Sequence, residues 1–323
     1  MGKTLSVVIP TLNRYEYLKR TLVQILPQVE RNQDEVELVV CCNASKDETD
    51  TFMKGLAESH PFIQYHYFDE YVEVGASLIR SVGQANGEYV VLWGDDDIPF
   101  PYFVETILDI IHKYPEVGII HCNRLSGKDA KYDIRGLKVH DGEYYENDGL
   151  LDLEILVQKF TISLGFISSL IFRRDCWEKG KSNFSKEHYG YEHLAMIVSG
   201  AVDRKCYYYS LPVEIQRNPL ERDFTVKWPL YHFIGIPNML KDFDRWGITK
   251  SAFDSWNVTG NGSFAHFIWH MMFTTLNRKM YMPLCKELNK YQKSLCRKLS
   301  TYLIVYFFPK SLFKWMRNKF HNR

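Results

Sequence analysis

The sequence predicts an α/β chain, with a Rossmann-like, mixed but mostly parallel sheet flanked by helices over residues 1–228 and a helical extension over 229–323. Three features of the 323 residues point there. Short apolar runs alternate with amphipathic patterns through roughly the first 120 residues, the mark of βα units. Three strand-like runs in that region lead straight into polar loops. From Pro229 onward the apolar positions recur at helical spacing. No Pro/Gly/Ser-rich linker divides the strand Ile167–Phe172 and the helix Tyr189–Ser199 from the strands before them, so they continue the same domain, and its boundary with the extension is soft.

The first strand is Leu5–Ile9, and Pro10 ends it. Asn13 and Glu16 have capping-box spacing, and Tyr15, Leu18, Leu22 and Ile25 then share one helical face. The second strand, Val36–Val40, runs into Asn43-Ala-Ser45-Lys-Asp-Glu48, where Ser45 and Glu48 repeat the capping spacing. A third strand near Ile63–Phe68 and a helix near Ala76–Gln84 follow. A fourth strand, Tyr89–Trp93, opens into Gly94-Asp95-Asp96-Asp97. Ligands of open parallel sheets gather beyond the carboxyl ends of the strands, so the three loops should face one crevice. A helix from about Pro101, a buried strand Val117–Cys122, a polar stretch 123–150 read as loop and edge hairpin, a strand Ile167–Phe172 and a helix Tyr189–Ser199 complete the larger part.

A hydrophobic content of 46% suffices for a real core, and the 21 Tyr and 7 Trp suit such a core before they suit sugar stacking or a membrane interface. Seven Cys, with Cys41 and Cys42 adjacent, show neither metal-ligand spacing nor a paired disulfide framework, which fits a reducing cytoplasm. The N-terminus turns polar too early for a secretory signal, and no run reaches the roughly 18 apolar residues that cross a bilayer. The net charge of +1 hides an asymmetry: residues 277–323 hold twelve of the 40 Lys and Arg and one of the 39 acids, Glu287. An acidic body is therefore joined to a basic tail.

Asp95, Asp96 and Asp97 place three negative charges within a few ångströms, a costly arrangement unless a positive charge is bound. Mg2+ or Mn2+ takes carboxylate oxygens supplemented by substrate phosphates, so the corner suits a nucleotide diphosphate whose leaving group needs neutralising. A solvated turn capping the next helix would need only one aspartate.

The succession LSVVIPTLNR (5–14), VELVVCCNASKDET (36–49), ANGEYVVLWGDDD (85–97) and GFISSLIFRR (165–174) resembles family 2 glycosyltransferases of the GT-A fold, and within them the abequosyltransferase-like branch that decorates bacterial surface polysaccharides. The resemblance covers residues 1 to about 220. It implies a nucleotide-sugar half, 1–122, and an acceptor half, 123–228. Pro10, Thr11 and Arg14 are assigned to the loop beside the nucleoside, Cys42, Asn43 and Ser45 to the loop that reads the base, and Asp95 to the ribose, with Asp96 and Asp97 on the metal. Two positions depart from the family. Cys42 stands where relatives carry an Asp that can accept the N3 proton of uracil, which is compatible with a CDP-sugar and leaves dTDP- or UDP-sugars open. Leu78-Ile79 stands where many relatives have Arg-Asn; Arg80 is near enough to substitute, but reads as an exposed helix residue.

Transfer to a hydroxyl needs a base. Relatives place a Glu-Asp pair at a helix start below the acceptor, and this chain has Glu192-His193 there. Glu192 is a ready carboxylate, and His193 has an ordinary pKa of about 6.5. Direct displacement by either would invert the anomeric centre. Acceptor contacts are expected from 163–174, Ser168 and Ser169 among them, and from the loop Gln216-Arg217-Asn218-Pro219. There Arg217 could meet a phosphate or pair with Glu214, Glu221 or Asp223 at the surface. Trp228, Trp256 and Trp269 could floor a sugar site or pack in a core.

The tail combines Lys and Arg with Tyr302–Phe308, Phe313, Trp315, Met316 and Phe320, and reads as an interfacial helix on an anionic membrane, or as a helix docked on the body by its apolar side. The expectation is a cytoplasmic enzyme, peripheral on the inner face of the cell membrane, moving one sugar from a nucleotide-diphosphate donor to a lipid-linked saccharide in O-antigen or capsule synthesis. Nucleic acid is not an expected partner. A sugar nucleotidyltransferase is one alternative, although PTLNRYEYLKR lacks its glycine-rich phosphate loop. A non-catalytic membrane-bound scaffold is the other.

Overall fold

The computed structural model describes residues 2–127, 138–139, 147–160, 163–217, 227–248, 264–292 and 294–321. They divide into two compact units, one of residues 1–184 and 193–220, the other of 185–192 and 221–323. The segment 185–192 belongs with the C-terminal unit. Its hydrogen bonds explain this: the His188 ring meets Asp242 at 2.8 Å, and the Asn238 amide donates to the Glu187 carbonyl.

The first unit is built on one sheet. Its strands are β1 (Leu5–Thr11), β2 (Val36–Asn43), β3 (Ile63–Phe68), β4 (Tyr89–Leu92), β5 (Ile98–Pro99), β6 (Ile119–Gly127), β7 (Lys138–Val139), β8 (Gly149–Asp152), β9 (Leu170–Arg173) and β10 (Lys205–Arg217). They run in the order β3-β2-β1-β4-β9-β6-β10-β5, with β7 on β6 and β8 on β10. β3, β2, β1 and β4 are all parallel, β9 lies antiparallel to both β4 and β6, and β10 is parallel to β6. Helices α1 (Tyr15–Arg31), α2 (Thr49–Ser59), α3 (Val74–Val82) and α4 (Phe103–Lys113) connect the early strands. The faces of α1 and α4 that hold Leu18, Leu22, Ile25 and Val29, and Phe103, Val104, Ile107 and Ile111, bury against Val7, Ile9, Val91 and Trp93. α5 (Leu153–Phe160), α6 (Arg174–Gly180) and α7 (Glu192–Gly200) follow.

The strand expectations hold in position but not always in extent. β1 runs on through Pro10 to Thr11. The Val8 carbonyl accepts from Trp93 on the β4 side, so Pro10, two residues on, turns its missing N–H toward a neighbour whose pairing has already ended at Val8–Leu92. Ile167–Ser169 is a 3-10 turn, and the strand begins only at Leu170. β10 is the largest addition: thirteen residues that pair with β5, β6 and β8, where no strand signal was read. Pro212 sits there between two register shifts, the kind of irregularity a strand needs to accept a proline. Of the polar stretch 123–150, the described part supplies the end of β6, β7 and the start of β8, in keeping with an edge hairpin.

The second unit is helical, with a core of Leu230, Phe233, Ile234, Phe267, Met271, Tyr281, Leu288, Ile304, Val305 and Phe313. Its last two helices, Leu295–Phe307 and Lys310–His321, are broken at Pro309. Arg278 donates to the Phe308 carbonyl at the corner, and Lys310 to the Leu276 carbonyl at 3.0 Å. The inner side of the pair, Thr301, Ile304, Val305 and Phe313, is buried, so the tail does dock by an apolar side. A second apolar side remains outside: Leu295, Leu299, Tyr302, Leu303, Tyr306 and Phe307 recur at steps of three and four, and Leu312 and Trp315 continue the exposed surface. No helix among the described residues is long and apolar enough to cross a membrane.

Candidate active site

The aspartate run lies where β4 ends, and its backbone is held from several directions. The Thr21 hydroxyl of α1 is shared between the carbonyls of Asp95 and Asp97, 3.0 Å from each, and the Trp93 indole N–H donates to Asp97 O at 3.2 Å. Directly after the run, β5 pairs with β10. Gly94 is required for close approach, because a Cβ there would strike the Asp97 carboxylate and crowd the Ser168 hydroxyl.

The three side chains have different surroundings. Asp95 is buried, accepting from the Thr11 hydroxyl at 2.8 Å and from the Arg14 guanidinium at 2.6 Å. Burial pushes its pKa up to about 6 against the pull of Arg14, and the charge of Asp96 adds to the rise. Asp97 is buried too, and both of its oxygens are engaged: Ser168 Oγ donates to Oδ2 at 2.6 Å and the Arg217 N–H to Oδ1 at 3.2 Å. Asp96 is the most open, with 14% of its side chain exposed and only a long 3.3 Å contact to Arg14. The guanidinium carbons of Arg14 and Arg217 lie 5.0 and 5.1 Å from the centre of the Tyr17 ring, so two cations share one aromatic ring beside three carboxylates.

The loops after β1 and β2 are joined to each other. Ser45 Oγ accepts from the Asn13 N–H at 2.9 Å, and the Asn13 side chain accepts from the Lys46 N–H at 2.6 Å. Neither expected capping box forms, since no side-chain cap is made by Asn13 on α1 or by Ser45 on α2. Asp47 serves both helices, accepting from the Tyr15 N–H at 3.0 Å and from the Thr49 N–H and hydroxyl. Asn13 and Ala44 have φ of 52° and 59°, and for a buried alanine that is a strained choice made in a loop expected to meet a nucleotide.

Pro10, Thr11, Arg14 and Asp95 therefore come together with Asp96 and Asp97, while Cys42, Asn43 and Ser45 close the neighbouring strand end. Cys42 is fully buried as the penultimate residue of β2. Arg80 is not an exposed helix residue: it is half-buried, stacks on Phe68 at 3.9 Å and donates to Asn43 Oδ1 at 2.5 Å.

The acceptor assignments need correction. Ser168 and Ser169 are both fully buried. Ser168 supports Asp97 and also accepts from the Gly94 N–H at 2.9 Å, and Ser169 accepts from Arg124 at 3.2 Å, so both brace the site from within. Arg217 is 4% exposed and lies in β10, not in a surface loop. Asn218, Pro219, Glu221, Asp223 and Trp256 lie outside the described residues. Trp228 donates to His270 at 2.6 Å, and Trp269 packs edge-on against Phe313, so each serves the helical unit.

Two residues that sequence reasoning missed lie behind Asp97. Arg124 is buried, donates to Ser163 at 2.8 Å and to Gln216 at 3.0 Å, and stacks on Phe166. Glu214 is fully buried; burial first and the charge of Asp97 next hold its pKa well above the ordinary carboxylate range, with Arg124 and Ser169 pulling the other way. An Arg and a Glu on strands that meet only through the fold leave no local sequence signal.

Glu192 and His193 open α7, and both are buried. The boundary between the two units falls between them. His193 Nε2 is 3.3 Å from the Gly165 carbonyl. A carbonyl can only accept, so Nε2 carries the proton and Nδ1 is the basic nitrogen of the neutral ring.

A parallel sheet that ends in clasped carboxylates, completed by antiparallel strands, is the arrangement of the GT-A glycosyltransferase fold. Glycosyl transferase family 2 matches residues 6–178, more than half of the chain, and the chain belongs to that family. It is a glycosyltransferase, and the nucleotidyltransferase and scaffold alternatives fall with that assignment. The abequosyltransferase RfbV of Salmonella typhimurium is 28% identical over 78% of this chain and 79% of its own length. The GalNAc(5)-diNAcBac-PP-undecaprenol beta-1,3-glucosyltransferase of Campylobacter jejuni is 25% identical over 60% of this chain and 74% of its own. In fold the chain is similar to S. aureus TarS 1–349 in complex with UDP-GlcNAc, with TM-score 0.56 and 13% identity over 94% of this chain and 90% of that one. It is also similar to the mannosyltransferase PcManGT of Pyrobaculum calidifontis in complex with GDP-Man and Mn2+, with TM-score 0.51 and 16% identity over 94% and 87%.

Proposed function

We propose that the protein transfers one sugar, with inversion, from a nucleotide-diphosphate donor to a lipid-linked saccharide in the synthesis of a bacterial surface polysaccharide such as O-antigen or capsule. The observation that carries this reading is the aspartate corner: three carboxylates at the end of β4, with Thr11 and Arg14 on one side and Arg217 on the other. Asp95 is directed to the donor ribose, with Pro10, Thr11 and Arg14 beside the nucleoside and Cys42, Asn43 and Ser45 at the base.

The residues fit a hard divalent cation, Mn2+ or Mg2+, held by Asp96 and Asp97. An oxygen-only donor set suits either ion, and Asp96 keeps part of its carboxylate open. No group of three His, Cys, Asp or Glu that could hold a metal occurs among the described residues, so oxygens of the donor's diphosphate would supplement Asp96 and Asp97. The cation would supply charge neutralisation of the departing diphosphate. PcManGT, a fold relative, contains Mn2+. His193 is the base toward the acceptor hydroxyl, and Glu192 is the alternative base one residue earlier.

Two observations favour a lipid-linked acceptor at the inner membrane face. The Campylobacter relative has PP-undecaprenol in its name. The exposed apolar stripe Leu295–Phe307, with Leu312 and Trp315, lies in a segment holding twelve basic residues and one acid, the composition that binds an anionic bilayer surface. The protein is then cytoplasmic and peripheral.

The test is thermal stabilisation by CDP, UDP, GDP and dTDP, each with and without Mn2+, on the wild type and on Asp96→Ala. The reading expects one nucleotide to stabilise the wild type in a Mn2+-dependent way, and Asp96→Ala to remain folded while losing both that dependence and transfer. Asp96→Ala retaining full transfer would sink it.

A further inference from the structure

Arg14 bonds the carboxylates of two members of the aspartate run. Its Nη1 lies 2.6 Å from Asp95 Oδ1 and its Nη2 lies 3.3 Å from Asp96 Oδ2. The guanidinium therefore occupies the most open carboxylate of the corner, the one with which a cation would have to make contact. Its position is held from a third direction by the Tyr17 ring. Asp97, the other proposed ligand, has both oxygens engaged by Ser168 and by the Arg217 N–H. With no group of three metal-ligating side chains among the described residues, a bare divalent ion would meet few ligands and a resident positive charge.

We infer that Arg14 is a built-in counter-ion of the aspartate run, a positioning residue that keeps Asp95 and Asp96 compensated before the donor arrives, so that the cation enters with the diphosphate and not ahead of it. The inference rests on the metal reading above and adds an order of binding to it. The asymmetry of the two contacts gives it its form. The short bond keeps Arg14 on Asp95, which is buried and shares the Thr11 hydroxyl, whereas the 3.3 Å contact to Asp96 is the one a ligand can displace at little cost. A diphosphate brings its own negative charge and oxygen ligands, satisfying the guanidinium and completing the cation's shell together. A lone cation does neither. Arginine, always protonated, performs this role at any physiological pH.

The test is Mn2+ binding followed by electron paramagnetic resonance on the full chain in the absence of any nucleotide, for the wild type, Arg14→Met, Arg14→Lys and Arg14→Met/Asp96→Asn, with thermal melts confirming that each is folded. Removing the competing charge should tighten Mn2+ binding by about tenfold or more in Arg14→Met. Arg14→Lys, which keeps the charge, should stay near the wild type, and Asp96→Asn should erase the gain. The inference is overturned if Arg14→Met binds Mn2+ no more tightly than the wild type, or if the gain survives Asp96→Asn. If Arg14→Met unfolds, Arg14→Gln provides the same measurement with a side chain that can still accept and donate at Asp95. A parallel titration with Mn2+ and the nucleoside diphosphate that stabilises the protein separates the two readings. A protein-bound Mn2+ signal there, with no gain in Arg14→Met, removes only the counter-ion role, while no signal under any condition removes the metal and the counter-ion together.

Discussion

The aspartate corner of the first unit and the outer side of the last helices in the second break the usual rule of burial in opposite directions. At the corner, Asp95, Asp97, Glu214, Arg124 and Arg217 are all under 6% exposed. On the helices, Leu295, Leu303 and Phe307 stand 60–75% exposed. Buried charge and exposed apolar surface are both costly, and each is informative because of that cost. The corner meets it internally, with hydroxyls, main-chain N–H groups and two arginines. The helices do not, because their inner side is already spent on the core of Phe267, Tyr281 and Phe313, and the outer side gains nothing until something apolar covers it. On the proposed function, the first region awaits a small ligand and the second a membrane surface.

The largest effect that would sharpen this contrast comes from comparing Asp97→Ala with Asp96→Ala. Both should lower transfer by about a thousandfold, the scale of losing a charge-stabilising group. Only Asp97→Ala should also cost about 2–4 kcal/mol in denaturant unfolding, because it strands the Ser168 hydroxyl and the Arg217 N–H in the interior. Equal stability of the two variants would break the distinction between the open and the braced aspartate.

On the helices the opposite pattern is expected. Leu303→Glu/Phe307→Glu should leave the melting temperature within a few degrees of the wild type, since both side chains already face solvent, yet reduce co-flotation with anionic vesicles at least tenfold. Unchanged flotation would remove the membrane role, and a collapsed fold would show that the stripe is covered within the chain. A smaller effect, about 1–3 kcal/mol, is expected for Ser168→Ala, whose hydroxyl serves both Asp97 and the Gly94 N–H. Acceptor affinity should stay unchanged if its role is internal, as its burial requires.

The smallest effect concerns Asp47. Its pKa is held below the ordinary carboxylate value: burial opposes this, but bonds from Thr49 and the Tyr15 N–H prevail. A depressed carboxylate contributes stability that is present above its unfolded pKa, about 3.9, and is lost as pH falls through the lower folded value. Asp47→Asn should lower stability by no more than about 1 kcal/mol at pH 7 and flatten the acid limb below about pH 4, as followed by urea titration. An unchanged acid limb would show that the two helix starts do not depend on that carboxylate.

These contrasts also mark what could be read from the sequence. The first four strands and the aspartate run were legible because each is a local signal, an apolar run ended by polar residues at a strand's exit. Asp47 was within reach of the same reasoning, two residues before Thr49, yet its second bond to Tyr15 belongs to a loop 32 residues away. β10 was not legible, because Pro212 and the polar ends of the run hide a strand whose pairing comes from three partners. Ser168 and Ser169 were placed in the right neighbourhood but in the wrong role: a sequence shows that a hydroxyl lies near a site, whereas only packing shows which way it turns. Arg124 and Glu214 share no motif, and they become neighbours only when β6 and β10 pair. The tail was legible as basic and amphipathic, but two apolar sides on one helix cannot be told from one wide side without a partner to divide them.

The single hydroxyl of Thr21, shared by the carbonyls of Asp95 and Asp97, ties the main chain of the aspartate run to the first helix of the sheet. A crystallographer soaking donors into this protein should therefore search for rotated carboxylates, not a shifted loop, and difference maps with silent backbone but changed rotamers would be the record of occupancy.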